Sequence, residues 1–137
     1  MATFNKFNSF TQALAEKQHN LSTDTLEVAL CASANAPIAT NSQLSNLTQI
    51  SYTNLSSRVI GSATGSSSSG TYKLVLPDLV LTASGTVAAF RYIILFNQTS
   101  INDLLIGWYD YTSDLTLLNG ETLTIDFDAG NGVLTLA

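Results

Sequence analysis

The sequence predicts an all-β fold: an antiparallel β-sandwich or jelly-roll-like domain with one short N-terminal helix, formed as a single domain by residues 1–137. First, apolar residues recur at every second position after residue 25, which is the period of a strand. Second, about seven or eight such segments are separated by turn residues with no helical pattern between them, which excludes alternating βαβ units. Third, only 11% of the residues are charged, whereas Thr, Ser and Asn are abundant, as is typical of β-rich proteins with neutral polar faces.

The N-terminal segment is predicted to form a helix over residues 5–18, before the β domain that begins at residue 25. Ser9 and Gln12 fit a capping box for a shorter version of this helix. Asn20 fits the C-terminal stop, because Asn tolerates the left-handed conformation of a C-cap. Apolar side chains recur at spacings of three and four along one helical face: Phe4, Phe7, Phe10 and Leu14.

The first strand is predicted at residues 25–32. Its apolar face consists of Leu26, Val28 and Leu30, which alternate with Thr25, Glu27 and Ala29. This alternation indicates a strand with one buried face.

The middle of the chain is less regular. Residues 33–54 show no clear period and are predicted to be a long connection, with one helical turn within 44–50. The Ser-rich stretch 61–70 is predicted to be a mobile loop tip or a weak edge strand.

The remaining strands follow from short β-branched, aromatic and aliphatic runs between turn residues. The run 87–96 is apolar on both faces except at Arg91, so it is predicted to be a central strand. The last two strands are predicted to pair as a hairpin across the turn at 128–132. In chain order the predicted strands are 57–60, 71–76, 79–82, 87–96, 104–111, 121–127 and 133–136.

Charge and composition exclude several functional classes. The net charge is −5; residues 1–91 hold all five Lys and Arg residues, and residues 92–137 hold six acids and no base. A nucleic-acid partner is therefore not expected, because such proteins neutralise phosphates with Lys and Arg. No apolar run approaches the ~20 residues of a membrane helix, and the first residues lack the apolar run of a signal peptide, so we expect no membrane partner and synthesis in the cytoplasm.

Residue types that commonly serve in catalysis are sparse. We therefore expect that the chain is not an enzyme and has no catalytic, cofactor-binding or metal site. His19 is the only histidine and is predicted to be solvated or to cap the helix end. Cys31 is the only cysteine, so no intramolecular disulfide is available, and its thiol is predicted to be inert. Paired carboxylates for sugar hydrolysis are conceivable, although isolated acids near strand ends usually serve turns: Asp110, Asp114, Glu121, Asp126 and Asp128.

The sequence Asp126-Phe-Asp-Ala-Gly-Asn-Gly132 leaves two interpretations open. Asp126, Asp128 and Asn131 supply oxygen atoms at spacings that faintly resemble a calcium loop. The distal bidentate Glu of an EF-hand is missing, and turn chemistry explains the same residues without a metal.

Two aromatic groups are candidate interface residues. Trp108, Tyr109 and Tyr111 flank Asp110 and are suited to stacking on a sugar ring, to anchoring a protein contact or to core packing. The N-terminal phenylalanines are suited to covering the end of the sandwich or to docking into a neighbouring subunit. The candidate set is Phe4, Phe7, Phe10, Trp108, Tyr109 and Tyr111.

Several segments resemble a group of small virion proteins of tailed bacteriophages, and the similarity covers nearly the whole chain. The most specific segments are ALAEKQHNL at 13–21 and IGWYDY at 106–111. The other segments that carry the resemblance are the remainder of residues 6–30, Ala36-Pro37, residues 70–76, Leu105 and residues 125–136. The resemblance implies a sandwich or jelly-roll fold and a non-enzymatic capsid decoration or cement role. It further implies a homotrimer on the capsid exterior, with the major capsid protein as partner. The alternative is a tail- or fibre-associated module that binds host glycan through Trp108, Tyr109 and Tyr111.

Overall fold

The computed structural model describes residues 2–137 and has antiparallel sheets with one short α-helix near the N-terminus. This confirms the predicted fold class. The helix α1 spans Asn8–Ala15, and single 3-10 turns lie at Ser33–Asn35 and Leu44–Asn46. The described strands are β1 Phe4–Lys6, β2 Thr25–Cys31, β3 Val59–Ser62, β4 Thr64–Ser68, β5 Thr71–Val75, β6 Leu79–Thr82, β7 Phe90–Asn97, β8 Leu104–Leu115, β9 Thr122–Ile125 and β10 Leu134–Leu136.

The largest sheet contains five antiparallel strands in the order β1-β8-β7-β2-β3. Strand β7 lies in the middle, as its two apolar faces predict, and seven of its eight residues are buried. Arg91, its single charged residue, is the one that stays partly exposed. The sheet is therefore covered on both faces along its central strands.

Two smaller sheets complete the fold, with the orders β10-β5-β4 and β6-β9. The predicted hairpin between the last two strands is wrong: β9 pairs with β6, and β10 pairs with β5. Between them Phe127 is buried, and its backbone N–H donates to Asp78, while the N–H of Val133 donates to the carbonyl of Leu74. The chain thus crosses from one sheet to the other through a buried anchor, and each strand finds its partner elsewhere.

The main core lies between the sheets. It draws on the five-stranded sheet and on both smaller ones, and its members include Leu26, Val28, Leu30, Leu74, Leu81, Phe90, Ile93, Ile106, Ile125 and Phe127. This confirms that the face of Leu26, Val28 and Leu30 is buried, but the prediction of only one buried face on this strand is wrong. The opposite face of that strand is buried too, in a second cluster of Phe7, Ala29, Cys31, Tyr92, Ile94, Phe96 and Leu105, against which Leu44, Leu47 and Trp108 pack.

The N-terminal helix is shorter than predicted, because the residues before it form a strand. The backbone N–H of Phe7 donates to the carbonyl of Ile106, and Phe4 pairs with Tyr109, so both belong to the edge of the large sheet. Phe7 is the N-cap residue, and among the described residues no side chain caps the helix, so the predicted capping box of Ser9 and Gln12 is wrong.

The predicted stop of the helix is also wrong. The helix ends at Ala15, and Lys17 rather than Asn20 adopts the left-handed conformation, with φ 64°. The Ser-rich stretch forms β4, an edge strand whose five residues are all exposed, so the edge-strand alternative is the correct one.

Candidate functional site

The six candidate interface residues lie mainly inside the molecule. Phe7 and Phe10 are fully buried, and Tyr109 is 7% exposed. The ring centroids of Phe7 and Trp108 lie 4.6 Å apart, a distance typical of aromatic pairs. Burial raises the pKa of Tyr109 to about 12. For Phe7, Phe10 and Tyr109, core packing is therefore the alternative that the structure supports.

The three aromatic residues of β8 do not form one stacking platform. Tyr109 and Tyr111 pack towards the main core, whereas Trp108 packs with the second cluster on the other face of the sheet. Trp108, Tyr111 and Phe4 remain partly exposed. A sugar ring bound by Trp108 is consequently out of reach of both tyrosines.

Asp110, between these aromatics, is held by a bidentate ion pair. Arg91 Nε lies 2.7 Å from Asp110 Oδ1, and Arg91 Nη2 lies 3.0 Å from Oδ2. The backbone N–H of Thr112 also donates to Oδ1 at 2.7 Å. The hydrogen bond from Arg91 holds the pKa of Asp110 below its usual value. Asp110 is thus an ionised partner of Arg91 on the surface of the sheet.

The acidic turn after β9 is explained by its own hydrogen bonds. Asp126 Oδ1 accepts the backbone N–H of Asp128 at 2.7 Å, and Asp128 accepts both the backbone N–H and the side-chain amide of Asn131, at 3.1 and 2.7 Å. These bonds from Asn131 lower the pKa of Asp128. Within residues 2–137, no group of three or more His, Cys, Asp and Glu side chains is placed to hold a metal ion. Turn formation accounts for the residues that also suggested calcium.

A buried polar cluster, which the sequence did not reveal, consists of His19, Asp24 and Asn97. His19 is only 4% exposed, so the prediction of a solvated or capping histidine is wrong. The side-chain oxygen of Asn97 accepts the backbone N–H groups of Thr99 and Ser100, at 3.0 and 3.2 Å. This fixes the orientation of the amide, because its nitrogen must then be the donor to the other two members.

The fixed amide also determines the state of the histidine. Asn97 Nδ2 donates to Asp24 Oδ2 at 2.6 Å and lies 3.0 Å from His19 Nδ1, which must accept. The ring proton is therefore on Nε2, for which the described residues offer no acceptor. Burial lowers the pKa of His19, and the negative charge of Asp24 offsets part of this effect. The neutral ring is the form that fits the cluster.

Two loops beside this cluster enclose a cleft of ≈ 520 Å³. One loop follows α1 and the other joins β7 to β8. The cleft offers amide and hydroxyl groups, one ammonium and one exposed apolar side chain, that of Ile101. Its lining includes Lys17, Asn20, Asp24, Thr99, Ile101 and Asn102.

The single thiol is inside the second cluster. Cys31 is fully buried, and burial raises its pKa to about 11. At neutral pH the thiolate, which is the reactive form, is therefore scarce.

The remaining candidate surface is the outer edge of β4, which we call the β4 edge (residues 64–68). All five residues are exposed, and within residues 2–137 β5 is the only strand that pairs with β4. Its sequence, Thr-Gly-Ser-Ser-Ser, carries no charge.

None of the helices in the described part of the chain is long and apolar enough to cross a membrane. Comparisons with protein-family models, with curated proteins and with solved structures each returned no match.

Proposed function

We propose that this chain is a non-enzymatic structural protein of a phage virion, and specifically a capsid decoration or cement protein that binds the major capsid protein and stabilises its lattice. The observation that carries the proposal is the resemblance of residues 13–21 and 106–111 to small virion proteins. In the fold α1, which ends with residues 13–15 of the first segment, packs on β8, the strand that contains the second segment.

The distribution of polar groups supports a binding role. Along its central strands the large sheet is covered on both faces by the chain itself, which leaves strand edges, loops and the exposed end of β8 for a partner. Only 11% of the residues are charged, and neutral polar groups suit extensive contacts because they are cheaper to desolvate than charges.

A homotrimer on the capsid exterior is part of the proposal. Three linked copies at a three-fold position contact several capsid subunits at once, so individually weak contacts add to a high apparent affinity. Synthesis takes place in the bacterial cytoplasm, before assembly onto the shell.

Electron microscopy of virions with and without the protein tests this proposal. We expect density for this chain on the shell, and a lower temperature of genome release in virions that lack it. Density on the tail alone, or equal heat resistance of the two particles, would contradict the capsid role.

The alternative is a tail- or fibre-associated module that binds host glycan. The cleft beside the buried cluster favours it, because hydroxyl and amide groups suit a small polar ligand. A glycan array should compare the intact chain with Trp108→Ala and Asn102→Ala. Loss of binding in Trp108→Ala indicates the sheet face, loss in Asn102→Ala indicates the cleft, and no binding by the intact chain contradicts this alternative.

A further inference from the structure

The β4 edge has unpaired backbone groups at defined positions. Ser69 and Gly70 have φ values of 50° and 81°, which fits a two-residue hairpin turn between β4 and β5. In such a hairpin the flanking residues, Ser68 and Thr71, form a hydrogen-bonded pair. Along the two strands, hydrogen-bonded pairs then alternate with pairs that are not hydrogen-bonded to each other. Gly65 and Ser67 therefore direct their N–H and C=O groups away from β5.

This edge lacks the features that normally prevent strands from pairing with other chains. Charged residues, proline, bulges and short length are the usual protections. The β4 edge has five residues in continuous register with β5, with neither charge nor proline.

The other edges of the two larger sheets carry such protections. Strands β1 and β10 have only three residues each, and β1 ends in Lys6. The pairing of β3 with β2 is broken by a register shift at Leu26/Glu27. In the two-stranded sheet, the side of β6 that faces away from β9 is covered, because Ser56 donates its backbone N–H to the carbonyl of Thr82.

Charge favours a second copy of this chain as the occupant. The net charge is −5, so two copies repel each other over most of their surface. Residues 28–77, which include β4 and its neighbour β5, contain no Asp or Glu. The two strands nearest the contact, β4 and β5, therefore bring no carboxylate to it.

The outward groups are also self-complementary. When two antiparallel copies of β4 meet with Ser66 at the centre, Gly65 of each copy lies opposite Ser67 of the other. Each such pair exchanges two backbone hydrogen bonds. We propose that two molecules pair through the β4 edge about a two-fold axis at Ser66, which joins two three-stranded sheets into one of six strands.

The contact is small, so the isolated dimer is weak and forms at high protein concentration. On a lattice that holds many copies, even a weak contact becomes effective. A two-fold contact is distinct from the three-fold contact of a trimer, and the inference holds whether or not the chain belongs to a virion.

The test combines sedimentation velocity over a series of protein concentrations with amide hydrogen exchange by NMR. We expect dimers to increase with concentration. The amides of Gly65 and Ser67 should exchange rapidly in dilute solution and at least tenfold more slowly in concentrated solution. The amides of Ser66 and Ser68, which already bond to β5, should change little.

Ser66→Glu is the decisive variant. It places two carboxylates opposite each other at the axis, while within one molecule the new side chain lies beside Lys73, its cross-strand partner, so the fold is preserved. Ser113→Glu is the matched control, because Ser113 is exposed on β8 and the change in net charge is the same. We expect dimerisation to weaken at least tenfold in Ser66→Glu and to persist in Ser113→Glu.

Two outcomes overturn the inference. One is a chain that stays monomeric, or associates only in trimers, at all concentrations. The other is equal dimerisation of the two glutamate variants, which locates the contact elsewhere. Neither outcome bears on the capsid location, which electron microscopy decides separately.

Discussion

Replacing Asn97 by Ala tests whether the buried polar cluster stabilises the fold. The side chain of Asn97 is fully buried and takes part in four hydrogen bonds, with Asp24, His19 and the backbone N–H groups of Thr99 and Ser100. A neutral hydrogen bond contributes roughly 1 kcal/mol net, and one to a charged group about 2 kcal/mol. Three neutral bonds and one to the Asp24 carboxylate therefore sum to about 5 kcal/mol; because water can enter the space that Ala leaves, we expect a loss of about 3–5 kcal/mol.

The assay is equilibrium unfolding in urea, followed by the fluorescence of the single tryptophan, Trp108. Asn131→Ala is the matched control, because Asn131 is exposed and its side chain makes one hydrogen bond, to Asp128. We expect this control to lose less than about 1 kcal/mol. If the two variants lose the same free energy of unfolding, the cluster of His19, Asp24 and Asn97 does not stabilise the protein.

His19, Cys31 and Gly132 each have a local environment whose effect can be measured. The pKa of His19 lies below 6.5 in the folded chain. Between this lowered pKa and about 6.5, the unfolded chain therefore binds a proton that the folded chain does not. The free energy of unfolding should fall as the pH is lowered through this interval, by at most about 1.4 kcal/mol per pH unit. Urea midpoints between pH 7.5 and 5 measure this, and His19→Gln should flatten the curve; an equally steep curve in the variant contradicts it. Cys31 should resist a thiol reagent at pH 7.5 until urea is added, because it is buried and its pKa is about 11; rapid labelling of the native chain would show otherwise. Gly132→Ala should destabilise more than Gly120→Ala in thermal unfolding. Both glycines have positive φ, 82° and 86°, but only at Gly132 does the added carbon meet the side chain of Lys73; equal losses would leave the backbone conformation as the sole cause.

The strands could largely be predicted from the sequence because their side chains alternate. Leu26, Val28 and Leu30 repeat with period two and lie in the main core. The continuous apolar run of β7 predicted its central position for the same reason: only a strand covered on both faces tolerates it. Both patterns can be seen within a short stretch of sequence, because the side chains that form them are buried in the core.

Strand pairing was less predictable, since alternation identifies a buried face and does not identify a neighbour. The strands β9 and β10 are close in sequence and separated by turn residues, which resembles a hairpin. In the structure, the buried ring of Phe127 lies between the two strands, and they pair with β6 and β5 rather than with each other. Similarly, the spacing of Phe4 and Phe7 fits a helix, although both residues serve the edge of the large sheet.

The buried cluster was missed because its members are distant in sequence. His19 and Asn97 are separated by 78 residues. One indirect signal was present: Asp24 directly precedes β2 and Asn97 ends β7, so a correct pairing of these strands brings both polar residues to the same end of the sheet.

The pairing of β1 with β8 has a consequence for biosynthesis. Asn5 and Trp108, which face each other across this pair, are 103 residues apart in the chain. A ribosome must therefore synthesise most of the polypeptide before β1 can pair with β8. Until then Phe7 and Phe10, which follow β1, have no sheet to pack against. Because such distant pairings close late, we expect slow folding, on the millisecond-to-second scale of β proteins, with a nascent chain that depends on chaperones until β8 emerges.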